Sequence, residues 1–224
     1  MRQGVLLAAA LVGLAVIVVA LLTAGSSRAH AATAAANPAP LTTQDRQDLQ
    51  SVSTYLNGLT SLQGKFLQIA PDGTVTDGNF YLQRPGRLRF EYSGDTKMLV
   101  VADGTWVIVQ EGNQVEQRYP LSSTPLGILL EPDVKLDDEA RVLGVSRDAG
   151  RLRVVLADKS GEAPGRLALD FSTPHIELME WTVTDAQGLN TTVALQDVQK
   201  GIKADPALFV LRSNQKPAVG AKPQ

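Results

Sequence analysis

The sequence predicts a mainly β protein, an antiparallel meander that curls into a barrel or half-barrel, with one helix ahead of the strands. Three observations predict it. From Leu62 onward, short runs of strand-forming residues recur between turn signals at Pro71-Asp72-Gly73, Pro85-Gly86, Asp103-Gly104, Glu111-Gly112-Asn113 and Gly188. The connections between these runs are of hairpin length and no helices alternate with them, so neighbouring strands pair antiparallel. Before Leu62 the period changes: Leu49, Val52, Leu56 and Leu59 recur at helical spacing behind Thr42 and Thr43, either of which can cap a helix.

Taken in order, residues 1–4 carry the positive charge of an export leader, residues 5–22 are an aliphatic run broken only by Gly13, and Ala29-His30-Ala31 is a signal-peptidase pattern. The expected division is a leader over 1–31, a linker over 32–40, one folded domain over 41–212 and a disordered tail over 213–224. A run of about 18 apolar residues also reaches the lower limit for spanning a bilayer, so an uncleaved anchor is the alternative. Strands are expected at 62–70, 75–83, 87–92, 97–102, 105–110, 115–119, 140–147, 152–158, 166–171, 176–184 and 191–200. The clearest is 87–92, where Leu88, Phe90 and Tyr92 alternate with Arg87, Arg89 and Glu91, giving one apolar and one charged face. Two segments break the rhythm. Residues 123–130 have Thr124 as a cap, Pro125 at the first helical position and a compact aliphatic cluster, which predicts a short helix on the sheet. Asp205-Pro206 predicts a single turn near the C-terminus.

Composition narrows the function. The chain has no cysteine, so disulfides, thiol catalysis, Cys-ligated metals and a lipidated N-terminal Cys are excluded. A net charge of −2 argues against nucleic acid as partner. No nucleophile elbow, His-Glu-x-x-His pair or phosphate-binding glycine loop occurs. His30 falls in the leader and His175 in a turn after Pro174, where it reads as a surface residue. Glu131, Asp133, Asp137, Asp138 and Glu139 lack the alternation and central glycine of a calcium loop and read as a solvated connection. Asn190-Thr191-Thr192 matches a glycosylation acceptor and decides nothing. No enzyme activity, cofactor or metal is expected. What remains is aliphatic surface: residues 98–102 and 106–109 flank an Asp-Gly turn, and Leu126, Ile128, Leu129 and Leu130 can cover them. With only 5% aromatic residues, such a face suits flexible acyl chains better than flat rings. An ordinary β core closed by a helix would show the same pattern.

Phe66-Leu67-Gln68, the Gly-x-Phe-x-Leu of residues 78–82, Arg84-Pro85-Gly86 followed by Arg89-Phe90-Glu91-Tyr92, Asp103-Gly104, and Thr124-Pro125-Leu126 leading to Leu129-Leu130 occur in one order. In that order they resemble the LolA family, periplasmic carriers of outer-membrane lipoproteins, over about residues 41–211. The resemblance implies an unclosed antiparallel half-barrel with a helical lid over an apolar cavity. Places in the strand runs and in the short helix then predict an acyl-chain cavity lined by Leu88, Phe90, Met98, Val100, Trp106, Ile108 and Trp181, and a lid built on Leu126, Ile128, Leu129 and Leu130. Both faces of the Met98 strand are apolar, so periodicity leaves its register open. The resemblance further implies that Arg84 matches the family's lid-holding arginine. The implied partners are acylated lipoproteins, an inner-membrane lipoprotein-releasing transporter and an outer-membrane acceptor where one exists, with the carrier a monomer. The alternative on the same fold is a periplasmic lipid- or glycolipid-binding module or a sensor of envelope stress.

Overall fold

The computed structural model describes residues 40–95, 97–112, 114–136 and 141–211. The leader, residues 32–39 of the linker, the tail, His30 and the acidic residues Asp137, Asp138 and Glu139 lie outside the described residues. Helix α1 (Thr43–Gly58) is started by Thr42, whose Oγ1 accepts the Asp45 N–H at 3.1 Å while the Asp45 carboxylate accepts the Thr42 N–H at 2.8 Å. This reciprocal cap satisfies two otherwise orphaned donors. The helix buries Leu49, Val52 and Leu56, the stripe its spacing predicted.

Eleven strands follow: β1 (Ser61–Ile69), β2 (Val75–Gln83), β3 (Arg87–Tyr92), β4 (Met98–Asp103), β5 (Trp106–Glu111), β6 (Gln114–Pro120), β7 (Val142–Asp148), β8 (Arg151–Leu156), β9 (Arg166–Ser172), β10 (Leu178–Thr184) and β11 (Asn190–Lys200). They form one antiparallel sheet in the order β6-β5-β4-β3-β2-β1-β11-β10-β9-β8-β7. Two meandering wings, β1–β6 and β7–β11, therefore join where β1 pairs with β11, Leu62 opposite Lys200. β6 and β7 remain as edges, so the sheet curls without closing. The chain runs from one edge to the other through residues 121–141, and that crossing carries the lid: a 3-10 turn (Leu121–Ser123) and helix α2 (Gly127–Leu130).

The sheet has an inner face, packed against α1 and the lid, and an outer face. Register assigns them: Phe80, Phe90 and Val100 stand opposite one another across β2, β3 and β4 and belong to the core, whereas Tyr81, Arg89 and Val101 form the outer row. On the inner face Phe66 meets Phe90 edge-on at 4.7 Å and Tyr92 at 5.0 Å, and Phe90 reaches Trp181 at 6.0 Å. This crowding needs Gly78 between Phe66 and Tyr92, because a Cβ there would lie 2.0 Å from the Glu91 carbonyl oxygen and 2.7 Å from the Phe66 ring. Tyr92, half-buried against these rings, donates to Gln68 Oε1 at 2.7 Å, and desolvation drives its phenol pKa well upward, so it stays a neutral donor.

The lid departs from its predicted form. Thr124 does not cap the helix; its hydroxyl donates back to the Leu121 carbonyl at 2.9 Å, and α2 begins only at Gly127 behind Leu126. The N–H groups of Thr124, Gly127, Ile128 and Leu129 each bond three residues back, so the segment is a run of tight turns and not one helix from Pro125. The C-terminal turn (Pro206–Phe209) forms as its sequence predicts, with Asp205 accepting the Ala207 N–H at 2.9 Å.

Candidate functional site

The inner face and its lid form the candidate site. Leu126, Ile128, Leu129 and Leu130 are all buried, and they share one continuous cluster with Leu88, Phe90, Val100 and Trp181. Met98 lies on the same face as Val100 by register and is 8% exposed, but it sits beyond that cluster. Trp106 and Ile108 are corrected. Across β4 and β5 the inner row is Val100 opposite Val109, and Ile108 stands opposite Val101 on the outer face. Ile108 is buried there, whereas Trp106 is 36% exposed with the Arg118 guanidinium 5.3 Å from its ring. The outer face is apolar at this point because the turn Pro206–Phe209 lies over β3 and β4, anchored where Arg89 Nη1 donates to the Leu208 carbonyl at 3.0 Å.

The lid is fastened at the rim by the β2–β3 turn. Arg84, one residue beyond β2, donates its own N–H to the Thr60 carbonyl at 2.9 Å and a guanidinium N–H from Nη2 to the Glu131 carbonyl. Two residues on, the Gly86 N–H donates to the Leu130 carbonyl at 2.9 Å. Consecutive carbonyls at the end of α2, which the helix itself leaves unsatisfied, are thus taken by consecutive donors of one turn. Gly86 can do this because its φ is +78° and a Cβ would come within 2.8 Å of Gly104 Cα. Burial pulls the Arg84 pKa down, and the carboxylates of Glu131 and Asp133 oppose that, so the group remains a cation. The Glu131 carboxylate is itself held by Arg141 just ahead of β7, at 2.6 and 3.1 Å. One lid residue therefore touches both wings of the sheet.

Beside this clasp, a cavity of about 700 Å³ opens between the β2–β3 and β4–β5 turns, the lid and the loop before β9. Ile128 and Leu130 line it from the lid side, with Asp103, Asp158 and Glu162 opposite. None of Leu88, Phe90, Met98, Val100 or Trp181 lines it; Leu88, Phe90, Val100 and Trp181 are packed in the cluster that holds the lid residues. Sequence reasoning missed the roles of Gly86, Arg141 and Asn57, whose bonds join the lid to its surroundings. Gly86 gave only a turn signal and Asn57-Gly58 only a helix-stop signal, while Arg141 stood as a cation beside an acidic run. Among the described residues, no group of His, Cys, Asp or Glu is placed to hold a metal.

Fold and site define a class: lidded, unclosed β half-barrels whose buried surface is apolar. The model of the family described as "Outer membrane lipoprotein carrier protein LolA" matches residues 57–212, and the chain belongs to that family. Proteins named outer-membrane lipoprotein carrier protein are similar over most of their length. The one from Methylococcus capsulatus is 27% identical, covering 70% of this chain and 80% of its own. The one from Halorhodospira halophila is 31% identical, covering 75% and 83%. Among solved structures, a LolA superfamily protein from Nitrosomonas europaea aligns with a TM-score of 0.42 at 11% identity, covering 72% of this chain and 97% of that one.

Proposed function

We propose that this protein carries outer-membrane lipoproteins across the periplasm by burying their acyl chains beneath the lid, with no chemical step of its own. Membership of the carrier family supports this reading. The structural observation that carries it is the clasp: a lid that buries Leu126, Ile128, Leu129 and Leu130 lies on a continuous apolar face and is held at the rim by one hydrogen bond each from Arg84 and Gly86. The energetics require such an arrangement. Each acyl methylene leaving the bilayer costs about 0.8 kcal/mol, so a lipoprotein with several chains cannot cross water unaided. A carrier that recovered all of that energy could not release its load, since non-covalent affinities saturate near about −20 kcal/mol. A lid that must give up its own packing when cargo enters offsets part of the gain. Arg84 then acts as a latch, favouring the closed, empty state.

Under this reading the exported protein loses residues 1–31 and works as a free monomer between an inner-membrane releasing transporter and an outer-membrane acceptor. Intact-mass analysis of the protein from its host should return a chain beginning after Ala31. A species that keeps residues 5–22 and sediments with membranes replaces the free shuttle with a tethered one. The central test is capture: the purified protein is incubated with membranes bearing an acylated lipoprotein and its releasing transporter. A soluble complex is expected, and lipoprotein that stays in the membrane fraction overturns the reading.

A further inference from the structure

The lid has a second attachment, three residues past the latched Glu131 and different in kind. Asn57, near the end of α1, turns its amide onto the backbone of Val134: Nδ2 donates to the Val134 carbonyl at 3.1 Å, and Oδ1 accepts the Val134 N–H at 2.9 Å. One side chain thus satisfies both backbone groups of a residue that is itself 1% exposed, as a neighbouring strand would. Nδ2 also lies 3.3 Å from the Asp133 carboxylate. One helical turn earlier, Ser53 Oγ accepts the Leu136 N–H at 3.3 Å. Alongside these bonds runs a cleft of about 400 Å³ bordered by Leu49, Gln50 and Lys135, so this joint depends on its polar pairs as well as on apolar contact. The helix that offers them is tied to the second wing. Tyr55 accepts the Leu178 N–H at 3.1 Å, and Arg147 pairs with Asp45 at 3.0 Å and with Asp48.

We infer that Asn57 is the fixed anchor of the lid and Arg84 its releasable end. When cargo enters, the lid segment up to Glu131 leaves Arg84 and Gly86 while Val134 stays on Asn57, and Pro132 and Asp133 absorb the change in direction. The inference rests on the carrier reading for its purpose. Its geometry is independent: the rim bonds border an open cavity, whereas the Asn57 pair is reciprocal and joins a buried residue to a helix held at two further points. Asn57 touches no cargo in this scheme. It is a positioning residue that returns the lid to the same rim donors after each delivery.

Both attachments report through a single amide each, Gly86 for the rim and Val134 for the anchor, so hydrogen exchange can follow them separately. The test uses protein purified from the cell envelope, empty and loaded with a synthetic triacylated cysteinyl peptide. On loading, the Gly86 amide should exchange about tenfold faster or more, while Val134 changes by less than about threefold. In the empty protein, Asn57→Ala and Ser53→Ala should each speed Gly86 exchange about two- to tenfold, the range expected for one or two lost hydrogen bonds. A purely local role for Asn57 would leave that distant amide untouched. Ser53→Ala keeps the helix intact, so the result survives if Asn57→Ala misfolds. Val134 accelerating in step with Gly86, or Gly86 unchanged in both variants, overturns the anchor. Failure of the peptide to load counts against the carrier reading, and the empty-protein arm still decides the anchor.

Discussion

On the inner side of β3, β4 and β5, Phe90, Val100 and Val109 stand in one row beneath the lid; on the outer side of the same strands, Arg89, Val101 and Ile108 stand in the parallel row near the turn Pro206–Phe209. Val100, Val101, Ile108 and Val109 are all buried. The covers differ. The inner one is a crossing segment whose own backbone carbonyls are clasped at its margin by donors of the β2–β3 turn, next to a cavity it helps to line. The outer one is a strap with Phe209 buried to 1% exposure and a guanidinium bond at Leu208. Burial therefore does not distinguish the two faces, and both covers take a guanidinium bond on a backbone carbonyl; the inner one adds the Gly86 backbone bond and borders the cavity beside the β2–β3 turn.

Substitutions on the two sides can break or sharpen that distinction. Phe90→Ala removes a ring in contact with Phe66 and Trp181 and should cost about 3–5 kcal/mol. Denaturant unfolding should show the loss, and acyl capture should fall with it. Phe209→Ala on the strap should cost less, about 2–3 kcal/mol, because an outer cover can settle onto the sheet, and capture should remain at the level of the parent. Lost capture with Phe209→Ala would place the outer face in the cargo path and dissolve the contrast.

Arg84→Leu should change unfolding free energy by no more than about 1–2 kcal/mol, the scale of one charge-assisted hydrogen bond, while capture persists and hand-off to acceptor membranes slows. Normal hand-off by the folded variant would remove the latch. The smallest effect concerns pH. The Thr42 hydroxyl and backbone N–H, followed by Arg147, hold the Asp45 carboxyl below its ordinary pKa. A depressed folded-state value means the cap contributes above the unfolded carboxylate pKa and is lost as pH falls through the folded one. Thermal melts of parent and Asp45→Asn should thus differ at neutral pH and converge in strong acid.

Much of this was legible in the sequence, and the exceptions have physical causes. Turn residues punctuate the chain so regularly that every strand falls within a few residues of its expected bounds, and β2 and β3 coincide with them. Arg84 could be placed at a strand end because Pro85-Gly86 ends the run. Trp106 and Ile108 were assigned to the wrong face because β4 and β5 are apolar on both sides, which removes the alternation that fixes register. The strap that makes the outer side apolar arrives from about a hundred residues away in sequence. Thr124 and Pro125 carry a helix-start signal, but the Thr124 hydroxyl found the Leu121 carbonyl instead. Asn57 gave only a helix-stop signal, since a side chain that bonds the backbone of a remote segment has no local periodicity to betray it.

The pairing of β1 with β11 bears on how the molecule assembles. Each wing is a succession of hairpins and can organise from neighbouring residues as it is made, but the seam sets Leu62 opposite Lys200 and waits for almost the whole domain. Long-range strand pairing of this kind is slow, because the closure entropy of the intervening chain is lost before any contact rewards it. Until then the inner face is divided between two half-sheets, each with an apolar side exposed. The inner face is thus the last to be completed, and during that interval it is the part of the newborn chain most open to the wrong partner.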